Sequence, residues 1–308
     1  MTDTITGTDQ APRPGGTHPF AGRAVSRIGY GAMQLGRLRS DRHAAVGVLR
    51  RAVDFGVDHL DTAQFYGDGF VNTVIRDALD PGDEVMVVTK IGADPNPGGP
   101  LPMRSAQRPQ ELRASVEDNL RTLAVEQIPV VNLRRMDTGH RVPGGPDQIV
   151  DLDDQLAEMT AMRDEGLIGG IGLSSITLDV LRVALGAGIA CVQNPYSVIA
   201  RDDEAMLELC VAQGIAWVPY FPLGSAFPGL PKVTDEPDVQ TIAATLDVTP
   251  AQVGLAWLLQ HSPNTLLIPG TASLDHLDAN IAVGGVHLDP AMVTQLDRIP
   301  TRVPDPPH

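Results

Sequence analysis

Short apolar runs alternate with longer stretches of helical spacing from about residue 24 to residue 299. Ala24 to Met33 reads as a short strand leading into a glycine-bearing turn. Residues 41–55 place Ala45, Val48, Leu49 and Ala52 on one helical face, with Ser40 as candidate N-cap and Gly56 as the stop. A strand ending at Asp61 follows, then a helix over 70–79. The stretch over 84–90 reads as a strand with a continuous apolar run, the pattern of a parallel strand covered on its outer face by helices. Residues 92–104, rich in Gly and Pro, read as a long loop, and Pro109 suits the first turn of a helix reaching Leu123. Further strands are expected at 128–133, 168–173, 189–193, 215–220 and 265–268. Helices are expected between them, near 149–165, 176–186, 204–213, 239–246 and 250–260, with two more opening at Ser273 and Asp289. Thr249, Pro250 and Gln252 form a capping box with proline at the first helical position. The strand at 168–173, IGGIGL, has little side-chain bulk and lets another group approach closely.

About eight strands, each followed by a helix and without a compositional break, predict a single-domain α/β fold, the (β/α)8 TIM barrel. The expected organisation is a flexible leader over 1–18, the barrel over 19–300 and a Pro-rich tail over 301–308. The alternative is an open doubly wound sheet, which binds dinucleotides at a glycine fingerprint after its first strand. GYGAMQLG lacks the GxGxxG spacing, which favours the barrel.

The 308 residues carry a formal charge of −15, which argues against nucleic acid or an anionic membrane surface as partner. An anionic ligand must therefore find local positive charge. Cys191 and Cys210 have neither CxxC nor metal-ligand spacing and lie in apolar segments, so reduced buried thiols and a cytoplasmic location are expected. The leader lacks the apolar centre of a signal peptide, and no run reaches the ~20 apolar residues of a membrane span. The eight histidines show no HxxxH spacing, so no metal site is expected. GxSxG and P-loop motifs are also absent.

Barrel active sites lie at the carboxyl ends of the strands. Asp61 and Lys90 end consecutive strands there, and Tyr66 follows in the loop between them. A cation beside a phenol lowers the cost of the phenolate, and the carboxylate holds the cation, which suits Tyr66 to general acid and base work. Read singly, the three are a polar strand end, an aromatic plug and a solvated charge; the ordered trio points to catalysis. The other strand ends carry Gly31, Ala32 and Met33, then Arg134, Ser174 with Ser175, Gln193 with Asn194, Tyr220, and Gly270 to Ser273. An amide, a hydroxyl and a flat ring suit a planar ring bearing a carboxamide, such as nicotinamide, although capping and turn roles fit the same residue types. The Gly-Thr turn of IPGTASLDHLDAN opens a helix after the eighth strand, a place suited to phosphate.

RIGYGAMQLG, GVDHLDTAQFYG, VVTKIG, IGLSS, CVQNPYS, WVPYFPLG and IPGTASLDHLDAN, in this order, resemble the aldo-keto reductase superfamily from about Arg27 to Ile299. The wording GYGAMQLG, VVNLR, FPLG and IPGT is nearest to bacterial members of the pyridoxal reductase type. The resemblance implies an oxidoreductase that uses NADPH to reduce a small aldehyde or ketone, with pyridoxal as the most specific candidate. It gives Asp61, Tyr66 and Lys90 three places of a catalytic tetrad, with Tyr66 as proton donor. It also makes Ser174 and Gln193 carboxamide binders and Tyr220 the ring stacked on nicotinamide. Pro222, Leu223 and Gly224 fall in its pyrophosphate loop, and Thr271 and Asn280 at the adenosine end.

Three departures stand out. The tetrad histidine is replaced by Arg134, which can polarise a carbonyl, favour tyrosinate, bind an anionic substrate group, or form a salt bridge such as one to Asp137; His140 is a second candidate from the same loop. Ser175 stands where the family has asparagine. The positions that hold the 2′-phosphate are Gly270 and His276 rather than Lys and Arg, which leaves NADH possible. Two other readings stay open: a nicotinamide-binding sensor of low activity, like the potassium-channel β subunits of this superfamily, and a non-redox lyase or epimerase. The loops at about 91–107, 134–147 and 222–237 that shape the substrate pocket carry no readable code, and oligomeric state is equally open.

Overall fold

The computed structural model describes residues 13–138, 142, 144–224 and 230–302. Its strands, in chain order, are β1 (Thr17–Phe20), β2 (Arg23–Ser26), β3 (Tyr30–Gly31), β4 (His59–Asp61), β5 (Met86–Ile91), β6 (Ala93–Pro95), β7 (Met103–Ser105), β8 (Ile128–Arg134), β9 (Ile168–Ser174), β10 (Ile189–Gln193) and β11 (Ala216–Trp217). Seven of these form one sheet in the order β11-β10-β9-β8-β5-β4-β3, and every pairing in it is parallel. The expected eighth strand, 265–268, joins by isolated parallel bridges on both sides, Trp217 with Thr265 and Ile28 with Leu267. Hydrogen bonds from Leu266 N to Trp217 O and from Leu267 N to Arg27 O, each 2.8 Å, close the ring. The fold is therefore the (β/α)8 barrel, with its last stave joined more sparsely than the others.

Strand parity divides the core in two. Met86 and Val88, Val130, Cys191, Ala216 and Val218, and Leu266 and Ile268 face inward and pack with Phe20 and Val25. Leu60, Val87, Val131, Leu133, Val192 and Trp217 face outward against the helices. Continuing the inward parity upward gives Asp61, Lys90, Asn132 with Arg134, Gly172 with Ser174, Gln193 and Tyr220. The same alternation that fills the barrel thus delivers the polar residues to its mouth.

Several details differ from expectation. The stretch 24–33 is not one strand: Arg23–Ser26 pairs antiparallel with Thr17–Phe20, and Phe20 and Val25 join the barrel's inner core, while only Tyr30–Gly31 enters the barrel sheet. β1, which starts at Thr17, therefore overlaps the expected leader, of which residues 1–12 lie outside the described residues. The expected loop at 92–104 contains the hairpin of β6 and β7. Asp41 rather than Ser40 caps the helix Arg42–Asp54, accepting from Ala44 N at 3.0 Å. The capping box at Thr249 and Gln252 and the proline starts at Pro109 and Pro250 are present. What approaches the light strand β9 is Asn132 from the adjacent strand, because a Cβ at Gly172 would lie 2.0 Å from its Oδ1.

Candidate active site

Register brings the mouth together. Asp61 aligns with Val88, Lys90 with Asn132, Arg134 with Ser174, and Ser174 with Gln193. Lys90 and Asp61 form a buried ion pair through Nζ and Oδ1. Lys90 Nζ also lies 3.3 Å from both the Tyr66 hydroxyl and the Thr62 carbonyl. Burial opposes the Lys90 charge, but Asp61 and then Tyr66 outweigh it and hold the amine above its ordinary value. Lys90 is therefore a fixed cation under the Tyr66 hydroxyl.

The loop bearing Tyr66 is anchored by a buried polar network that sequence reasoning missed. Thr62 Oγ1 donates to Asn72 Oδ1 at 2.8 Å, and Asn72 Nδ2 donates to Gln64 and Asn119 at 2.8 and 2.9 Å. Thr89 Oγ1 reaches the same Asn119 oxygen at 2.7 Å. These bonds tie the Asp61–Tyr66 loop to β5 and to the helices Phe70–Ala78 and Pro109–Leu123. Tyr66 is thereby placed by satisfied polar groups in low dielectric rather than by surface contacts.

Gln193 reaches Asp61 as well: its Nε2 donates to Oδ2 at 2.7 Å, while its Oε1 is buried without a partner among the described residues. Below them a cavity of about 10 Å³ is lined by Asp61, Gln193, His59, Val88 and Phe20, among others, a space of one water's size. His59, one inward step below Asp61, is fully buried, with the Leu267 backbone as its near polar neighbour but no hydrogen bond of good geometry at either ring nitrogen among the described residues. Glycine at position 29 is required by it, since a Cβ there would lie 2.1 Å from His59 Nε2.

Burial holds the His59 imidazole down to about 4, against the pull of Asp58 and Asp61. The unfolded chain therefore binds a proton that the folded chain refuses. Stability should be full above about pH 6.5 and should fall by about 2 kcal/mol between about pH 7 and about pH 5. Denaturant titrations at those two values check this; equal stabilities would contradict it.

On the far side of the mouth, Ser175 Oγ and the Tyr220 hydroxyl lie 3.1 Å apart, which fixes the ring expected to face nicotinamide. Ser175 sits at φ +55°, a left-handed conformation that asparagine tolerates better than serine. Asn194 has a structural role: it bonds the Ile176 N–H and C=O at 3.1 and 2.8 Å and Asp203 at 2.8 Å. Pro222 and Leu223 lead to Gly224, which has φ +84° and where a Cβ would meet Pro231 O at 2.5 Å. Gly31 and Gly270 lie back to back, a Cβ at Gly270 reaching 2.4 Å from Gly31 O. Ala32 is buried behind them and Met33 is exposed.

Tyr30 donates its hydroxyl to Thr271 O at 2.5 Å, pinning the turn before the last helix pair. Thr271 Oγ1 accepts from Ser273 N at 3.0 Å, and Ser273 caps the helix Leu274–Ile281. His276 is exposed on its first turn and Asn280 is half-buried on its last. Arg134 stands with its Cζ 5.7 Å from the Phe65 ring centroid and its Nη1 3.2 Å from Met103 Sδ. The salt bridge foreseen for it is made by its neighbour instead: Arg135 Nε lies 3.0 Å from Asp137. His140 lies outside the described residues.

A (β/α)8 barrel with a tyrosine hydroxyl beside a buried lysine–aspartate pair at its mouth has a group that can exchange a proton where barrels bind small molecules. The chain belongs to the Aldo/keto reductase family, which it matches over residues 27–300, and is an oxidoreductase of that family. It is 42% identical to pyridoxine 4-dehydrogenase of Escherichia coli over 292 residues, covering 92% of this chain and 98% of that one. An uncharacterised oxidoreductase of Schizosaccharomyces pombe is 32% identical, with 92% and 89% covered. Among solved structures, an aldo-keto reductase from Klebsiella pneumoniae in complex with NADPH superposes with a TM-score of 0.76 at 27% identity, covering 94% of this chain and 96% of that one.

Proposed function

We propose that this protein is an NADPH-dependent carbonyl reductase that acts on a small aldehyde, pyridoxal being the leading candidate, with Tyr66 as the general acid. The observation that carries the reading is the Lys90 ammonium, fixed by Asp61 and 3.3 Å from the Tyr66 hydroxyl. NADPH, when bound, supplies the hydride. Tyr66 gives its proton to the carbonyl oxygen as negative charge grows there, and Lys90 stabilises the phenolate left behind. Asp61 keeps Lys90 charged and in place, and Gln193 holds the other oxygen of Asp61.

The mouth residues fit the cofactor. Gln193 Oε1, buried and without a partner among the described residues, accepts a carboxamide N–H, with Ser174 beside it. Tyr220 offers its ring face, and Leu223 and Gly224 present backbone to the pyrophosphate. Gly270, Thr271, His276 and Asn280 take the adenosine end, the helix N-terminus at Ser273 favouring negative charge. No Lys or Arg lies between Gly270 and Asn280, so NADH should serve as a weaker alternative. Cys191 and Cys210 are free and buried, in keeping with a cytoplasmic enzyme.

The test is oxidation of NADPH and of NADH followed at the nicotinamide absorbance with pyridoxal and a panel of aldehydes and ketones. Turnover with pyridoxal, faster with NADPH, is expected. Cofactor binding with no oxidation by any carbonyl would move the protein to the sensor reading.

A further inference from the structure

Among the described residues, every half-buried arginine other than Arg134 is matched with oxygen. Arg27 donates to the carbonyls of Leu259, Ser262 and Thr265, Arg113 binds Glu158 and Glu165, and Arg135 binds Asp137. Arg134 is different. It is half-buried at the mouth, and among the described residues its guanidinium meets no oxygen, only a thioether and a ring face. A thioether is a weak acceptor, and a ring face attracts a cation without neutralising it. Among the described residues most donors of the fork are unused, in a chain of net charge −15.

Position tells what those donors face. Arg134 is the inward residue one step above Asn132, which aligns with Lys90, and it pairs in register with Ser174. Phe65 links it to the proton donor: the guanidinium lies 5.7 Å from the Phe65 ring, and that ring lies 5.0 Å from the ring of Tyr66. The Arg134 fork and the Tyr66 ring thus share Phe65 as a neighbour, so the anion donor and the proton donor flank one region of the mouth. A permanently charged, planar donor set fits an oxyanion far better than a neutral ketone oxygen, which Tyr66 already serves.

We propose that Arg134 selects carbonyl substrates carrying an oxyanion next to the carbonyl-bearing carbon, an ionised aromatic hydroxyl or a carboxylate, and is a specificity residue rather than a substitute for an imidazole. This rests on the reductase reading above. Pyridoxal belongs to this class through the ring hydroxyl beside its aldehyde.

The experiment compares kcat/KM with NADPH for two matched pairs, pyridoxal against pyridine-4-carbaldehyde and 2-carboxybenzaldehyde against benzaldehyde, in the wild type, Arg134→Gln and Arg134→Lys. The wild type should favour at least one anionic member by about 10- to 100-fold, the worth of hydrogen bonds to a charged group. Arg134→Gln should collapse that ratio mainly through a higher KM for the anionic member, and Arg134→Lys should keep part of it. The pair with the larger ratio separates hydroxyl from carboxylate as the group read. Turnover of all four without preference, or an equal fall in kcat for all four in Arg134→Gln, overturns the role of Arg134 and leaves the reductase reading standing. Wild-type cofactor binding without turnover of any of the four overturns both.

Discussion

Replacing Tyr66 by phenylalanine is expected to lower kcat by about 10²- to 10⁴-fold, the usual worth of a positioned general acid, while cofactor affinity stays as it was. The ring remains, so its edge-on packing against Phe65 and its fit beside Lys90 persist. Only the hydroxyl 3.3 Å from Lys90 Nζ is lost, and with it the proton that the reduced oxygen needs. The measurement is single-turnover reduction under saturating NADPH, together with cofactor fluorescence titration. A variant that reduces pyridoxal at the wild-type rate would sink the proposed mechanism, whatever its affinity for cofactor.

The second large effect concerns the ion pair beneath that hydroxyl. Lys90→Met leaves the Asp61 carboxylate buried with Gln193 as its side-chain partner, and removing one member of a buried pair costs about 3–5 kcal/mol. Turnover should fall as well, because the phenolate loses its neighbouring cation. The double variant Asp61→Asn with Lys90→Met should recover much of the stability, since no lone charge remains, but none of the activity. Denaturant unfolding and kcat measured on all three separate the two roles. If activity returns along with stability, the pair is only scaffold.

Sequence reasoning located this site because its logic is periodic. Parallel strands buried on both faces read as apolar runs, and the polar residue of inward parity at the carboxyl end of each run is the one that emerges at the barrel mouth. Asp61, Lys90, Arg134, Ser174 and Gln193 were visible for that reason. What lay beyond reach were partnerships between distant polar groups. Nothing local to Asn72, Asn119 or Gln64 marks them as one buried network, since each pairs across elements. The same holds for the Gln193 to Asp61 bond, which joins residues 132 positions apart.

The floor hairpin was hidden in a different way. Arg23–Ser26 follows a polar Gly- and Pro-rich leader, and its pairing with Thr17–Phe20 depends on Phe20 and Val25 fitting the open end of the barrel. His59 carried a local signal, an imidazole two residues before Asp61 with inward parity, but its meaning depends on Gly29 making room for it. Arg134 shows the limit of positional reasoning. Its place at the end of β8 is legible in the run, yet only the structure reveals that Arg135, not Arg134, pairs with Asp137.

The sparsely joined last stave has a consequence for how the ring holds its shape. Seven strands share continuous pairings, whereas 265–268 is fastened by single bridges on either side and runs directly into Gly270 and Thr271. The weakest joint of the hoop and the turn assigned to the adenosine end of the cofactor are thus one stretch of chain. A ligand bound at that turn would also hold the joint closed, so local unfolding of the joint and release of the ligand draw on the same free energy.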